Sequence, residues 1–81
     1  MFYVYVLKSE KDEKLYVGHA RDLRKRYREH NKGLVKCTKC RRPLKLLYYE
    51  ASNELGDTIK REKSLKTGFG RAYLKRRLND I

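Results

Sequence analysis

Residues 2–7, Phe-Tyr-Val-Tyr-Val-Leu, constrain the fold more than any other stretch of this chain. β-branched and aromatic residues suit a pleated, half-buried surface, so residues 2–8 are expected to form a strand. Successive strand side chains point to opposite faces. Here both sets are apolar or aromatic, with Phe2, Val4 and Val6 on one side and Tyr3, Tyr5 and Leu7 on the other. A strand apolar on both faces is either sandwiched by helices or borders a site.

The remainder of the chain has the elements to build such a layer. Residues 9–13 are a polar connection and 14–18 a second strand, and so short a link favours an antiparallel hairpin. Gly18 either ends that strand or lets a backbone or ligand approach closely. Asp22 suits the N-cap of a helix running to about Asn31, with Gly33 as its stop. Leu23, Tyr27 and His30 form one stripe of that helix, and Arg26 lies on its edge.

Residues 34–42 show no clear period and read as a basic loop carrying Cys37 and Cys40. Pro43 precedes a third strand, 44–49. Ser52 or Asn53 opens a second helix to about Thr67, closed by Gly68, with Leu55, Ile59 and Leu65 facing inward. A last helix, 71–79, offers Leu74, Leu78 and Ile81 to the core. Gly68-Phe69-Gly70-Arg71 reads as a helix C-cap and turn with Phe69 packing, although its amides and Arg71 are placed to meet a phosphate. The order is β-β-α-β-α-α. It predicts one α+β domain over residues 1–81, a small three-stranded antiparallel sheet flanked by helices.

Charge narrows the partner. Lys and Arg number 22 against 10 Asp and Glu, a formal +12, which is more than solubility requires and points to a polyanion. His19, Arg24, Lys39, Arg41, Arg42, Lys66 and Arg71 are the candidate nucleic-acid contacts. The longest apolar run, residues 2–7, falls far short of the roughly 20 residues a membrane span needs. The basic start and cleavage site of a signal peptide are also missing. A cytoplasmic protein is expected, and its two cysteines do not call for a disulfide.

Glu62 falls at the centre of the second helix's inward stripe. A carboxylate aimed into a core costs several kcal/mol unless it is paired, hydrogen-bonded or bound to a metal; the plain alternative is a surface ion pair with Lys66 at i+4. Arg26 and His30 pose the same choice on the first helix, between a functional pair and a snorkelling arginine with a core histidine. Tyr5 and Tyr16 lie on neighbouring strands; each alone suits packing, and together they suit a cleft. The set fits phosphodiester chemistry. A guanidinium binds phosphate, one carboxylate holds a Mg²⁺ that keeps its waters, and a phenol or imidazole moves a proton. Cys37 and Cys40 do not make a structural zinc site with either histidine, since four ligands at suitable spacing are needed.

With these residues in place, the chain resembles the GIY-YIG nuclease superfamily, in particular its short stand-alone branch, over nearly its whole length. Tyr3-Val4-Tyr5 and Tyr16-Val17-Gly18 correspond to the two name-giving strands. Arg26 stands eight residues after the second motif's glycine, with His30 four further on. Arg61-Glu62-Lys63-Ser64-Leu65-Lys66 matches the glutamate-bearing helix. The segments His30-Asn31-Lys32-Gly33 and Arg41-Arg42-Pro43-Leu44 also look like that branch. Tyr3 replaces the first motif's usual glycine, and Asn79 is not assigned to the late asparagine of longer relatives.

The resemblance implies hydrolysis of a DNA phosphodiester with one divalent cation, Mg²⁺ or Mn²⁺, held by Glu62. Arg26 would clamp the scissile phosphate. Tyr16 would take a proton from the attacking water or position it, with Tyr5 and His30 in support. His19, where excision-repair relatives often carry lysine, would contact phosphate. The identity of the general base stays open, because a phenol of pKa near 10 is a poor base at neutral pH. DNA that is branched, nicked or single-stranded is the expected substrate, since the charge supplies mostly sequence-independent affinity. The competing reading is a non-catalytic module binding DNA or RNA on the same fold. A zinc-stabilised basic adaptor built on Cys37 and Cys40 is a third.

Overall fold

The computed structural model describes residues 1–78. The elements are β1 (Phe2–Ser9), β2 (Leu15–Ala20), α1 (Leu23–Asn31), a short 3₁₀ turn (Lys39–Arg41), β3 (Leu44–Ser52), α2 (Leu55–Leu65) and α3 (Gly68–Arg77). The strands form one antiparallel sheet in the order β2-β1-β3. This is the α+β arrangement expected from the sequence.

The double apolar pattern of β1 is explained by its central place. Val4 and Val6 pack with Val17, Leu65 and Leu74 beneath α2 and α3. Tyr5 and Leu7 pack with Leu44 on the opposite face, where Leu23 and Tyr27 of α1 close over them. Burying Leu- or Val-sized side chains contributes about 1.5–3 kcal/mol each, so one strand anchors both layers. The β1–β3 register shifts between Val6 and Leu7, which pair with Tyr48 and Leu46. The extra residue reverses the alternation. Tyr48 joins the α2–α3 layer and Leu46 the α1 layer.

Ser9 ties the first hairpin together: its hydroxyl accepts from the Lys11 and Asp12 amides and donates to the Arg41 carbonyl. α1 begins as its sequence suggests, with the Asp22 side chain accepting from the Lys25 amide at 3.0 Å. Beyond α1, Gly33 turns the chain with a positive φ of 78°, a conformation glycine adopts readily.

Five sequence expectations need correction. β2 continues through Gly18 to Ala20, so the glycine is interior to the strand. α2 opens at Leu55 after Glu54, without a side-chain cap from Ser52 or Asn53. Leu55 is exposed, and Thr58 is buried in its place, its hydroxyl donating back to the Glu54 carbonyl.

Gly68 does not close α2; it opens α3. α2 ends at Leu65, and Thr67 caps the new helix by accepting from the Gly70 amide. Phe69, expected to pack, is 91% exposed on the first turn of α3. The end of the last helix at Asn79 and the packing of Ile81 lie outside the described residues. No helix among the described residues is long and apolar enough to cross a membrane.

Candidate active site

The first group lies on the α1 face of the sheet. Antiparallel register sets Tyr5 opposite Gly18 and Leu7 opposite Tyr16, so both phenols project toward α1. The helix returns His30 to them from its last turn. Tyr5 Oη and His30 Nε2 are 2.8 Å apart, and the ring centroids of Tyr16 and His30 are 5.1 Å apart. His30 Nδ1 lies 2.7 Å from the Thr38 hydroxyl. Both hydrogen-bond partners of the imidazole are as buried as the ring itself.

Gly18 makes this closeness possible. A Cβ there would sit 2.7 Å from Tyr5 Oη and 3.0 Å from the Tyr16 ring. Gly18→Ala therefore displaces both phenols. The expected cost is about 1–3 kcal/mol of stability and about 100-fold in the rate of any reaction using these groups. Thermal unfolding and a cleavage assay check it; unchanged values in both would contradict this packing.

Burial pushes the Tyr5 phenol up to about 12, although the neighbouring Arg26 guanidinium pulls the other way. Burial likewise raises Tyr16, with Cys37 and Glu62 adding and Lys66 and Arg26 opposing. Both phenols are therefore protonated at neutral pH. The imidazole is neutral: burial, helped by the positive charge of Arg26, depresses its pKa to about 4. The neutral ring carries one N–H, so of its two hydrogen bonds, to Tyr5 and to Thr38, it donates one and accepts the other.

That depression has a measurable sign. An unfolded histidine titrates near 6.5. Between about pH 6.5 and 4 the unfolded chain takes up a proton that folded His30 refuses. The stabilisation is complete above that window and is lost as pH falls through it. Urea unfolding at pH 7 and pH 4.5 should show the wild type losing more stability than His30→Gln. Parallel losses would show that His30 is not held neutral.

The second group reaches the β2 edge from α2. Glu62 is largely covered, its side chain 16% exposed. One carboxylate oxygen meets His19 Nδ1, and the other accepts from Lys66 Nζ at 2.6 Å. Burial alone would raise this carboxyl, but Lys66 and His19 hold it below the usual carboxylate range. Glu62 thus combines an inward position with the ion pair to Lys66. The orientation of α2 is fixed by the adjacent Arg61, whose guanidinium grips Glu50 of β3 with two hydrogen bonds of 2.9 Å and stacks over Tyr73.

Tyr16 lies between the two groups. With Val17, Leu65, Lys66, Arg41 and Arg71 it lines a groove of about 670 Å³. Arg26 is partly open, with 41% of its side chain exposed and a 3.4 Å contact to Glu29. It borders a shallow hollow that also holds His19 and Lys25.

The basic candidates divide by position. His19, Lys66, Arg71 and Arg41 border Tyr16 or Glu62, although Arg41 is engaged by Asp12 and the Lys14 carbonyl. Lys39 and Arg42 line a separate hollow with Asn31 and Pro43. Arg42 there donates to the Lys39 carbonyl and lies against Gly33. Arg24 borders a third hollow, among tyrosines. Sequence reasoning missed Thr38, whose loop has no periodicity to mark it, and Glu50, eleven residues from its partner. Cys37 and Cys40 are exposed free thiols.

Three comparisons bear on this arrangement. A family model described as the GIY-YIG catalytic domain matches residues 1–79. A UPF0213 protein of Staphylococcus saprophyticus is 44% identical over 66 residues, covering 80% of this chain and 79% of its own. A UPF0213 protein of Staphylococcus aureus is 41% identical over the same shares. No solved structure matches.

Proposed function

The chain belongs to the GIY-YIG nuclease superfamily, and from that premise we propose that it is a divalent-cation-dependent endonuclease acting on DNA. Its targets are selected by shape more than by base sequence, in repair or recombination. The observation that carries the reading is that Arg26 shares a hollow with His19, the partner of Glu62, while Tyr5 packs against Tyr16 on the groove that Lys66 lines. A binding-only module has no use for a carboxylate placed where it repels phosphate.

Arg26 supplies a permanent positive charge to the scissile phosphate and to the charge that builds on it. Burial would lower its pKa, but Tyr5 and Glu29 hold it above the usual value. Tyr5, itself hydrogen-bonded to His30, stands beside that guanidinium. Tyr16, protonated in the free protein, aligns the attacking water by hydrogen bonding. Lys66 and Arg71 border the same groove and attract the flanking phosphates.

Glu62 is the residue that would hold Mg²⁺ or Mn²⁺. Among the described residues no three His, Cys, Asp or Glu side chains gather to hold a metal. A lone charged carboxylate therefore suits a cation that retains most of its waters and shares a substrate phosphate. Once bound, such a cation polarises the phosphate and stabilises the leaving oxygen. The test is a panel of labelled single-stranded, duplex, flap and four-way-junction DNAs, with Mg²⁺, Mn²⁺ or EDTA at low salt. Metal-dependent cutting that differs among shapes is expected. Binding without cutting on every DNA would replace the enzyme with the binding module.

A further inference from the structure

α1 is nine residues long and leaves part of its sheet face uncovered. Tyr3 lies two residues from Tyr5 on β1, and Tyr49 is paired with Tyr5 across the β1–β3 ladder, so both share the face of Tyr5. Their rings meet edge to face with centroids 6.0 Å apart. Tyr49 is 55% exposed, and together with Tyr3 it presents a contiguous aromatic patch of the kind that marks a binding surface. With Tyr27 and Leu46 these rings form a hollow of about 510 Å³, and Arg21 and Arg24 stand at its rim. Arg21 and Asp22 also border the hollow containing His19 and Arg26, so the two are continuous over the protein surface.

Aromatic rings at the base of a pocket with arginines at its edge match an unpaired nucleotide: the rings stack on the base and the guanidiniums meet the phosphates on either side. A duplex keeps its bases stacked inside and offers nothing to Tyr49. We propose that the Tyr3–Tyr49 hollow is a subsite for an unpaired base, next to the scissile position, and that it directs the protein to DNA with a single-stranded segment. The inference rests on the nuclease reading for its place in a reaction, but the binding it describes does not.

The experiment measures binding first. In a Glu62→Gln background, which prevents cutting, a short single-stranded oligonucleotide carrying 2-aminopurine is titrated with protein, beside a duplex of equal length. Stacking quenches the probe. Tyr49→Ala is expected to weaken single-strand binding roughly 5- to 100-fold and to remove the quenching, with duplex affinity unchanged. Tyr49→Phe keeps the ring and should behave as the parent. The exposure of Tyr49 makes misfolding of these variants simple to check by thermal unfolding. Undiminished single-strand binding and quenching in Tyr49→Ala overturns the subsite. Equal weakening for duplex and single strand also overturns it, since the hollow would then serve the backbone. Failure of the nuclease reading is distinguishable: cutting would be absent on every DNA while the stacking result stands.

Discussion

Glu62→Gln is expected to eliminate cutting while leaving DNA binding intact or tighter. The substitution preserves size and removes the negative charge. Glutamine still accepts from Lys66 but would not hold the divalent cation proposed for Glu62. A metal contributes several kcal/mol to stabilising a phosphoryl transition state, and about 1.4 kcal/mol is tenfold in rate, so the loss should reach about 1000-fold or more. Binding behaves otherwise, because the carboxylate opposes an incoming phosphate and its neutralisation leaves the Lys66 charge uncompensated. Stability should scarcely change, since a partly exposed pair of this kind is worth about 1 kcal/mol or less. Single-turnover cleavage, anisotropy binding and thermal unfolding together check the prediction. A variant that cuts at the wild-type rate would remove Glu62 from the chemistry.

The second large effect is on folding. Gly70 lies where α3 crosses the end of α2, and a Cβ there would stand 2.2 Å from the Ser64 carbonyl oxygen and 2.3 Å from Leu65 Cα. These are backbone atoms, so no side-chain rotation relieves the clash. α3 must lift, drawing the buried Leu74 away from Leu65 and the central strand. Gly70→Ala should therefore cost about 3 kcal/mol or more, at or beyond the usual range for overpacking. Against a total of about 5–15 kcal/mol for a domain, much of the population would unfold on mild warming. Gly68→Ala is the control: a Cβ there meets nothing within 4 Å, and alanine is the better helix former. Equal urea midpoints for Gly70→Ala and wild type would contradict the crossing.

These two glycines also show where the sequence stops being informative. Gly68-Phe69-Gly70 reads as a helix end because glycine is a common stop and phenylalanine commonly packs. The need for Gly70 is set by the end of a helix eleven residues long in front of it, and no local pattern records that approach. Thr67 likewise gives no sign that it caps a following helix.

Elements whose signals lie within one strand or helix were legible. The two apolar faces of β1 placed it at the centre, and Asp22 and Gly33 bounded α1. Arg26, His30 and Glu62 stood out because charge on an inward stripe conflicts with burial. What those side chains touch was much less apparent. Thr38, buried against His30, sits between two exposed cysteines. The Glu50–Arg61 pair that sets the rotation of α2 links residues on different elements. Tyr3 stands where the motif usually has glycine, and only the structure shows that its ring forms a wall of the hollow beside Tyr49.

The most direct measurement is a time course of flap-DNA cleavage by wild type and Arg26→Ala with Mn²⁺ at low salt, each repeated in EDTA. Arg26 lies against Tyr5 and lines the hollow beside His19, and its half-exposed side chain can be removed with little harm to the core. The account predicts cutting by wild type only when metal is present, with Arg26→Ala slower by about 100-fold or more in the same buffer. Equal cutting by the two proteins, or binding without cutting in either, would contradict it.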